Sequence, residues 1–404
     1  MTQRLTWMLA LPGIRPDSVI VRCSGKRHKV RLAPGKFWRR ARCGACGAAV
    51  DRSRIRRVVR WIAHLAQPAS AAAPERVAWV GTAGYLLFAV VSAGCLWWLS
   101  DRWWLATTLL FGPRWVLLLP LAALVPASLR WDRALLVPLA LAAIIVLDSV
   151  MGLRTGWRSW LAAPDPTRDV TVMTLNAKGG SSLSVALTDL LFGSRLDVLA
   201  IQECGTELLQ RVEALQDWHT DIRDGLCLVS RYPITTVSAM EREAFRVAGG
   251  AALVVTYRLE ADPIPLHVTN LHLETPRAGL ERIRAGELEE GISKLEQKSS
   301  LREIELRRAA RWAGEFPRPQ IVLGDFNTPP ESPIYRDAWS DWTNAFSVAG
   351  RGFGFTRMNG WIRARIDHIL VDGSLDVIRA WVGPDVGSDH RPALATIRLK
   401  RRGT

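Results

Sequence analysis

Seven polar residues in the second half of the chain are of types that bind cations and move protons. Asn176, Glu203, His272, Asp325 and Asn327 each fall at or just past the end of an apolar, β-branched run: VTVMTLNA, LDVLAIQE, LHVTNLHLE and QIVLGDFN. Asp389 and His390 stand together in GSDHRP, just before the alternating stretch LATIRLK. Ser-Asp-His alone is a weak signal, because Ser, Asp and Pro mark turns by themselves. Each of the other five, taken singly, could mark only where a strand exits into water. Together they resist that reading, since exits favour Gly, Ser, Asn and Lys over a cluster of Glu, His and Asp. In open α/β sheets ligands bind outside the strand carboxyl ends. Strands converging on one rim would therefore gather these residues around the loop that carries Asp389 and His390.

The elements that must position them read as a soluble α/β domain beyond APDPTRD. To the strands above, LCLVSRYPI, AALVVTYRL, RIDHILVDG and LATIRLK add further β-branched runs. Helices are expected at 181–192 and 206–218, with Ser181 or Ser182 and Thr206 as N-caps, and a long charged helical stretch between Thr275 and Gly314.

The preceding residues have a different texture. Residues 77–99 run without a charge, long enough to cross a hydrocarbon core of about 30 Å. Two further spans are expected, at about 104–129 and 134–153; the alternative is a hairpin of two spans and a buried helix. Twelve of the 18 Trp precede residue 161, and Trp97, Trp98, Trp103, Trp104, Trp115 and Trp131 cluster at the expected span ends, as interfacial aromatics do. The formal charge of +15 is unevenly spread. Residues 1–60 hold 16 Lys and Arg against Asp17 and Asp51, whereas 161–404 hold 30 against 32 Asp and Glu. The basicity thus says little about what the C-terminal domain binds.

The ordered pieces TLNAKGG, IQE, NLHLE, GDFN, RIDHIL and GSDHRP, spread from about 169 to 400, resemble the endonuclease/exonuclease/phosphatase superfamily of metal-dependent phosphoesterases. The resemblance implies a four-layer α/β/β/α sandwich over 165–404, two sheets face to face with helices outside. It also implies Mg²⁺ (or Mn²⁺) held by Glu203 and Asp389 with Asn176, as suits a hard cation. Asp367 would orient His390, Asp325 would position or deprotonate the attacking water, and Asn327 and His272 would donate to the developing charge. Either Asp325 or His390 could be the base. The substrate would be a phosphoester, of nucleic acid or of a lipid head group, and no obligate protein partner is implied. The competing reading is an idle fold that binds phosphate ligands or serves as a scaffold at the membrane.

Three features stand outside that set. Residues 1–60 resemble a zinc ribbon with Cys43 and Cys46 as one half; Lys26 stands where a second Cys belongs, so Cys23 and His28 would complete a structural Zn²⁺ site, the alternative being a metal-free ribbon. They lead through a small-residue linker at 61–76. The stretch 350–368, with Arg351, Arg357, Arg363, Arg365, Phe353, Phe355 and Trp361, is either a substrate-facing loop or a solvated hairpin. The six cysteines form no disulfide framework, and Cys204 is expected as a small buried filler. No cleavable signal peptide is read at the start, and the basic N-terminus is expected in the cytoplasm. Three spans then place the catalytic domain outside; two would leave it inside.

Overall fold

The computed structural model describes residues 73–160, 165–178, 196–205, 218–241, 252–261, 264–360 and 362–399, with two short strands and a few single positions besides. Cys23, His28, Cys43 and Cys46, nearly all of the expected linker and of the helices at 181–192 and 206–218, and Trp361 lie outside them. Two compact units divide between Val80 and Gly81. In the first, Val19–Arg22 pairs antiparallel with Lys29–Leu32.

The second unit contains two six-stranded mixed sheets. The first is built from β1 (Asp169–Asn176), β2 (Val198–Gln202), β3 (His219–Arg223) and β4 (Leu226–Ser230), with β11 (Leu375–Val382) and β12 (Ala393–Leu399), in the order β11-β12-β1-β2-β4-β3. The second joins β5 (Ile234–Ala239), β6 (Leu253–Leu259), β7 (Leu266–His272), β8 (Gln320–Asp325), β9 (Thr343–Asn344) and β10 (Asp367–Val371), in the order β9-β10-β8-β7-β6-β5. Each sheet has one central parallel pair, β1 with β2 and β7 with β8, and antiparallel neighbours. The expected α/β class with mixed sheets packed against helices is what the chain adopts.

Period-two alternation explains how both faces of the central strands are buried. Val170 and Val172 of β1 face the core between the sheets, while Met173 and Leu175 face the other side. In β8, Ile321 and Leu323 join the inter-sheet core and Val322 packs under the outer helix layer. That layer includes the long helix Leu288–Gly314, whose Leu306, Ala309 and Ala313 pack on the second sheet.

The apolar N-terminal part holds three helices long and apolar enough to cross a membrane: Pro74–Leu99, Arg114–Trp131 and Arg133–Val150. The second begins at Arg114 because Gly112-Pro113 interrupts the backbone ladder, Pro113 having no N–H to give. Trp104–Phe111 is therefore a separate short helix, α1, ahead of that span. Leu87, Phe88, Val91, Val137, Leu141 and Ile144 face outward, an apolar surface of the kind that lipid covers. Tyr85, Ala89, Leu139, Ala142 and Val146 form the seam between the helices.

The same apolar cluster takes in Ala364 and Ile366 of the two-sheet part. Three polar contacts join the two regions beside it. Asp101 pairs with Arg302 and accepts from Ser332 at 2.5 Å, both charged side chains fully buried. Arg114 Nη1 meets Glu331 at 3.0 Å and donates to the Val150 carbonyl at 2.6 Å. Arg336 lies over the Trp97 ring and donates to its carbonyl. The turn after the first apolar helix and the exit from the third thus both lie against the two-sheet part.

Candidate active site

The site forms where β1, β2, β7, β8 and β10 end on one rim. Gly324 permits this approach: a Cβ there would sit 2.0 Å from the Leu271 carbonyl, and its φ of +148° suits only glycine. Glu203, directly after β2, is held in the left-handed region at φ +49°. Such a non-glycine conformation costs on the order of 1–3 kcal/mol and persists only where its surroundings fix it. The surroundings do so through Cys204, whose N–H donates to the Gly225 carbonyl at 2.9 Å and whose sulfur is bonded to Cys227 of β4. Cys204 is buried, as expected of a small filler, but the expectation is corrected in that it is half of a disulfide. Burial alone did not reveal the pairing, because the partner is 23 residues away on a neighbouring strand.

Asn176 donates from Nδ2 to Glu203 Oε1 at 2.9 Å and to Asp325 Oδ2 at 3.1 Å. His272 Nε2 lies 3.8 Å from Glu203 Oε1 and 3.7 Å from Asp325 Oδ2. On the other side of Asp325, His390 Nε2 lies 3.8 Å away, and its Nδ1 meets Asp367 Oδ2 at 2.8 Å. Asn327 holds Asp325 through its backbone N–H at 2.9 Å and gives one of its two amide hydrogens to the Leu273 carbonyl. Asp389 turns instead to two cations, Arg357 at 2.8 Å and Lys178 at 3.1 Å. Of the eight residues read from sequence, seven are therefore linked by direct contact. Asp389 joins them through its chain neighbour His390 and its cation pair.

Burial and charge tune these groups in opposite senses. Burial raises the Asp325 carboxyl above its usual range and nearby Asp367 raises it further, against the pull of His390 and His272. Burial would lower His390, but Asp367 and Asp325 outweigh it and lift the imidazole to about 9. Burial would raise Asp389, but Lys178 and Arg357 hold it below the usual carboxylate range.

Asp325, Asp367 and His390 lie close enough together to hold a metal ion. A His390 kept protonated by Asp367 offers no lone pair to a metal, however, so this trio suits proton work better. The carboxylates of Glu203 and Asp389 suit a hard divalent cation. Asp389 Oδ1 is buried with no hydrogen-bond partner, an oxygen in need of a positive neighbour.

A model of the endonuclease/exonuclease/phosphatase family matches residues 173–390. The chain belongs to that family. Similar solved structures include an endonuclease/exonuclease/phosphatase from Beutenbergia cavernae, 16% identical over 58% of this chain and 72% of the other, with a TM-score of 0.40. TDP2 of D. rerio, complexed with a single-strand DNA product, is 15% identical over 57% of this chain and 99% of its own, with a TM-score of 0.45. ANGEL2, described as a 2',3'-cyclic phosphatase, is 16% identical over 58% and 96%, with a TM-score of 0.38. No curated protein matches the chain. As a family member the chain is a phosphoesterase, and the family generally uses a divalent metal.

Several residues of the rim carry no strand-end signal. Ser388 accepts from the His390 N–H at 3.1 Å and donates to the Asn176 carbonyl at 2.7 Å, tying the two ends of the family match together. Thr356 Oγ1 accepts from the Asp367 N–H at 3.1 Å. Lys178 sits two residues past Asn176, a spacing that could have marked it as part of the rim.

Proposed function

We propose that the chain is a membrane-anchored phosphoesterase, dependent on Mg²⁺ or Mn²⁺, that hydrolyses phosphodiester bonds with nuclease-like chemistry. The observation that carries this reading is the alternation of Asp367, His390 and Asp325 within hydrogen-bond or ion-pair reach, beside Glu203 and Asn176. When bound, the metal supplies positive charge to a phosphoryl oxygen; Glu203 and Asp389, with Asn176, would hold it. Asp325, its affinity for a proton raised by burial, takes the proton of the attacking water. His390 is already protonated at neutral pH, so it is unsuited as base and instead donates to the charge that develops on phosphate. His272 and the second amide hydrogen of Asn327 are placed to add donors.

The test is hydrolysis of bis(p-nitrophenyl) phosphate by the full chain in detergent, titrated with Mg²⁺. Glu203→Gln keeps the shape but removes a metal-binding charge. The loss should reach at least the roughly 10–100-fold that removal of even an outer-sphere metal partner brings. Near-parental activity at limiting Mg²⁺ would remove Glu203 from the metal site.

The same reading puts residues 1–60 in the cytoplasm and the catalytic part outside. It is supported by the 16 basic residues before the first span. It is supported also by the Cys204–Cys227 disulfide, which belongs in an oxidising compartment. The contacts of the turn at 100–114 with the part that follows Val150 support this reading, because two intervening spans would return the chain to the same side.

A further inference from the structure

We infer that the phosphoester taken by this site is the head group of a membrane lipid, presented from the leaflet beneath the catalytic part. This rests on the phosphoesterase reading and narrows its substrate. Two elements beside the site also pack into the apolar cluster that the N-terminal helices form. One is the hairpin Arg357–Asn359 and Ile362–Ala364. Arg357 holds Asp389 at 2.8 Å and bridges to His390. Its register partner across the hairpin is Ala364, which is buried in the same apolar cluster as Leu110, Phe111 and Val150. Directly opposed residues of an antiparallel pair are about 5 Å apart. One strand spacing therefore separates the cation that grips the catalytic loop from the apolar cluster shared by α1 and the end of the third apolar helix.

The other is the helix Arg277–Arg284. Arg277 is exposed and pairs with Glu281 at 2.6 Å, with the charges of Asp389 and Glu203 as weaker neighbours, while Leu280 packs against that same cluster. Three residues of helix cover only about 4.5 Å. In the adjoining N-terminal helices Trp103, Leu105 and Trp115 are exposed, as suits side chains at a bilayer interface. A lipid in that interface would offer its phosphate to Lys178, Arg277 and Arg357 without leaving the bilayer. A nucleic acid would need an extended cationic track, whereas residues 161–404 carry 30 basic against 32 acidic residues.

The reaction adds water to the phosphodiester. The water oxygen forms a new P–O bond while one ester P–O bond breaks, and the water's proton passes to Asp325. The released alcohol oxygen takes up one proton from solvent, Asp325 returns its proton to solvent, and a phosphate monoester remains. One product keeps the acyl chains.

The experiment uses the full chain in Triton X-100 micelles containing phosphatidylglycerol. Bulk lipid is held constant while its surface mole fraction is varied. The rate should rise with mole fraction, and kcat/KM should exceed that for deacylated glycerophosphoglycerol by about 100-fold, the acyl part providing binding remote from the reacting centre. A single-stranded oligonucleotide and bis(p-nitrophenyl) phosphate are run alongside. Hydrolysis of bis(p-nitrophenyl) phosphate with no preference for the acylated lipid, or with the oligonucleotide preferred, overturns the lipid assignment and leaves the phosphoesterase reading standing. Loss of all four activities overturns that reading itself.

Discussion

Glu331→Gln tests whether the start of the second apolar helix and the catalytic part are one folding unit. Glu331 is buried, with Arg114 at 3.0 Å and Arg365 at 4.0 Å, and all three side chains are almost wholly shielded from water. Burial would raise the Glu331 carboxyl, but Arg114 and Arg365 outweigh it and hold it below the usual range. Burial, helped by Arg154 and Arg114, pushes the Arg365 guanidinium down to about 10 against the counter-pull of Glu331. Glutamine keeps the volume and one acceptor but leaves two neighbouring buried arginines without their counter-ion. Breaking a buried pair from one side costs about 3–5 kcal/mol. At about 2–4 °C per kcal/mol for a domain of this size, even the lower figure gives a fall of roughly 6–12 °C in Tm. The assay is tryptophan fluorescence melting of the full chain in detergent, with Glu303→Gln as control. Glu303 meets Arg307 at 2.9 Å on an exposed helix face, where a pair contributes about 0–1 kcal/mol. Arg114→Met combined with Glu331→Gln should cost less than the sum of the two, by about 0.5–3 kcal/mol. A Glu331→Gln melt within about 2 °C of the parent, or strict additivity with Arg114→Met, refutes the reasoning.

Asp367→Asn and His390→Ala should be strongly non-additive in log kcat, because groups acting as one unit lose their function once; a full sum would show that they act separately. Burial, helped by Arg365, pushes the His368 imidazole from 6.5 down to about 4, with Nε2 at 2.9 Å from the Thr328 carbonyl. Its folded pKa is the lower one, so its contribution to stability is complete above pH 6.5 and lost as pH falls from 6.5 through 4. His368→Gln should flatten the acid limb of the Tm profile over that window, and an unchanged limb would refute the assignment. For topology, alkaline phosphatase fused after Thr404 should be active, and a fluorescent protein fused there dark, in a bacterial host; the reverse pattern would place the catalytic part in the cytoplasm.

What was legible in the sequence follows from how local each signal is. Strand ends announce themselves, because a β-branched run that closes on Asn176, Glu203, His272 or Asp325 carries both period and chemistry in under ten residues. Gly324 belongs to the same class, since a strand interrupted by glycine before a carboxylate points to close backbone approach. The joint between the spans and the catalytic part has no such signature. Asp101 and Arg302 are 201 positions apart, Arg114 and Glu331 217, and each reads singly as an ordinary loop or helix-surface charge. Only the fold removes water from around them, and only then does the sign of each charge matter to stability. The Cys204–Cys227 bond was hidden for a related reason: two cysteines on adjacent strands have no diagnostic spacing, because the intervening segment can be of any length. Arg357 lies between these extremes. In sequence it is one of four arginines in a loop of undecided role; its strand pairing with Ala364 decides what it touches, setting it between Asp389 on one side and the apolar cluster of the N-terminal helices on the other.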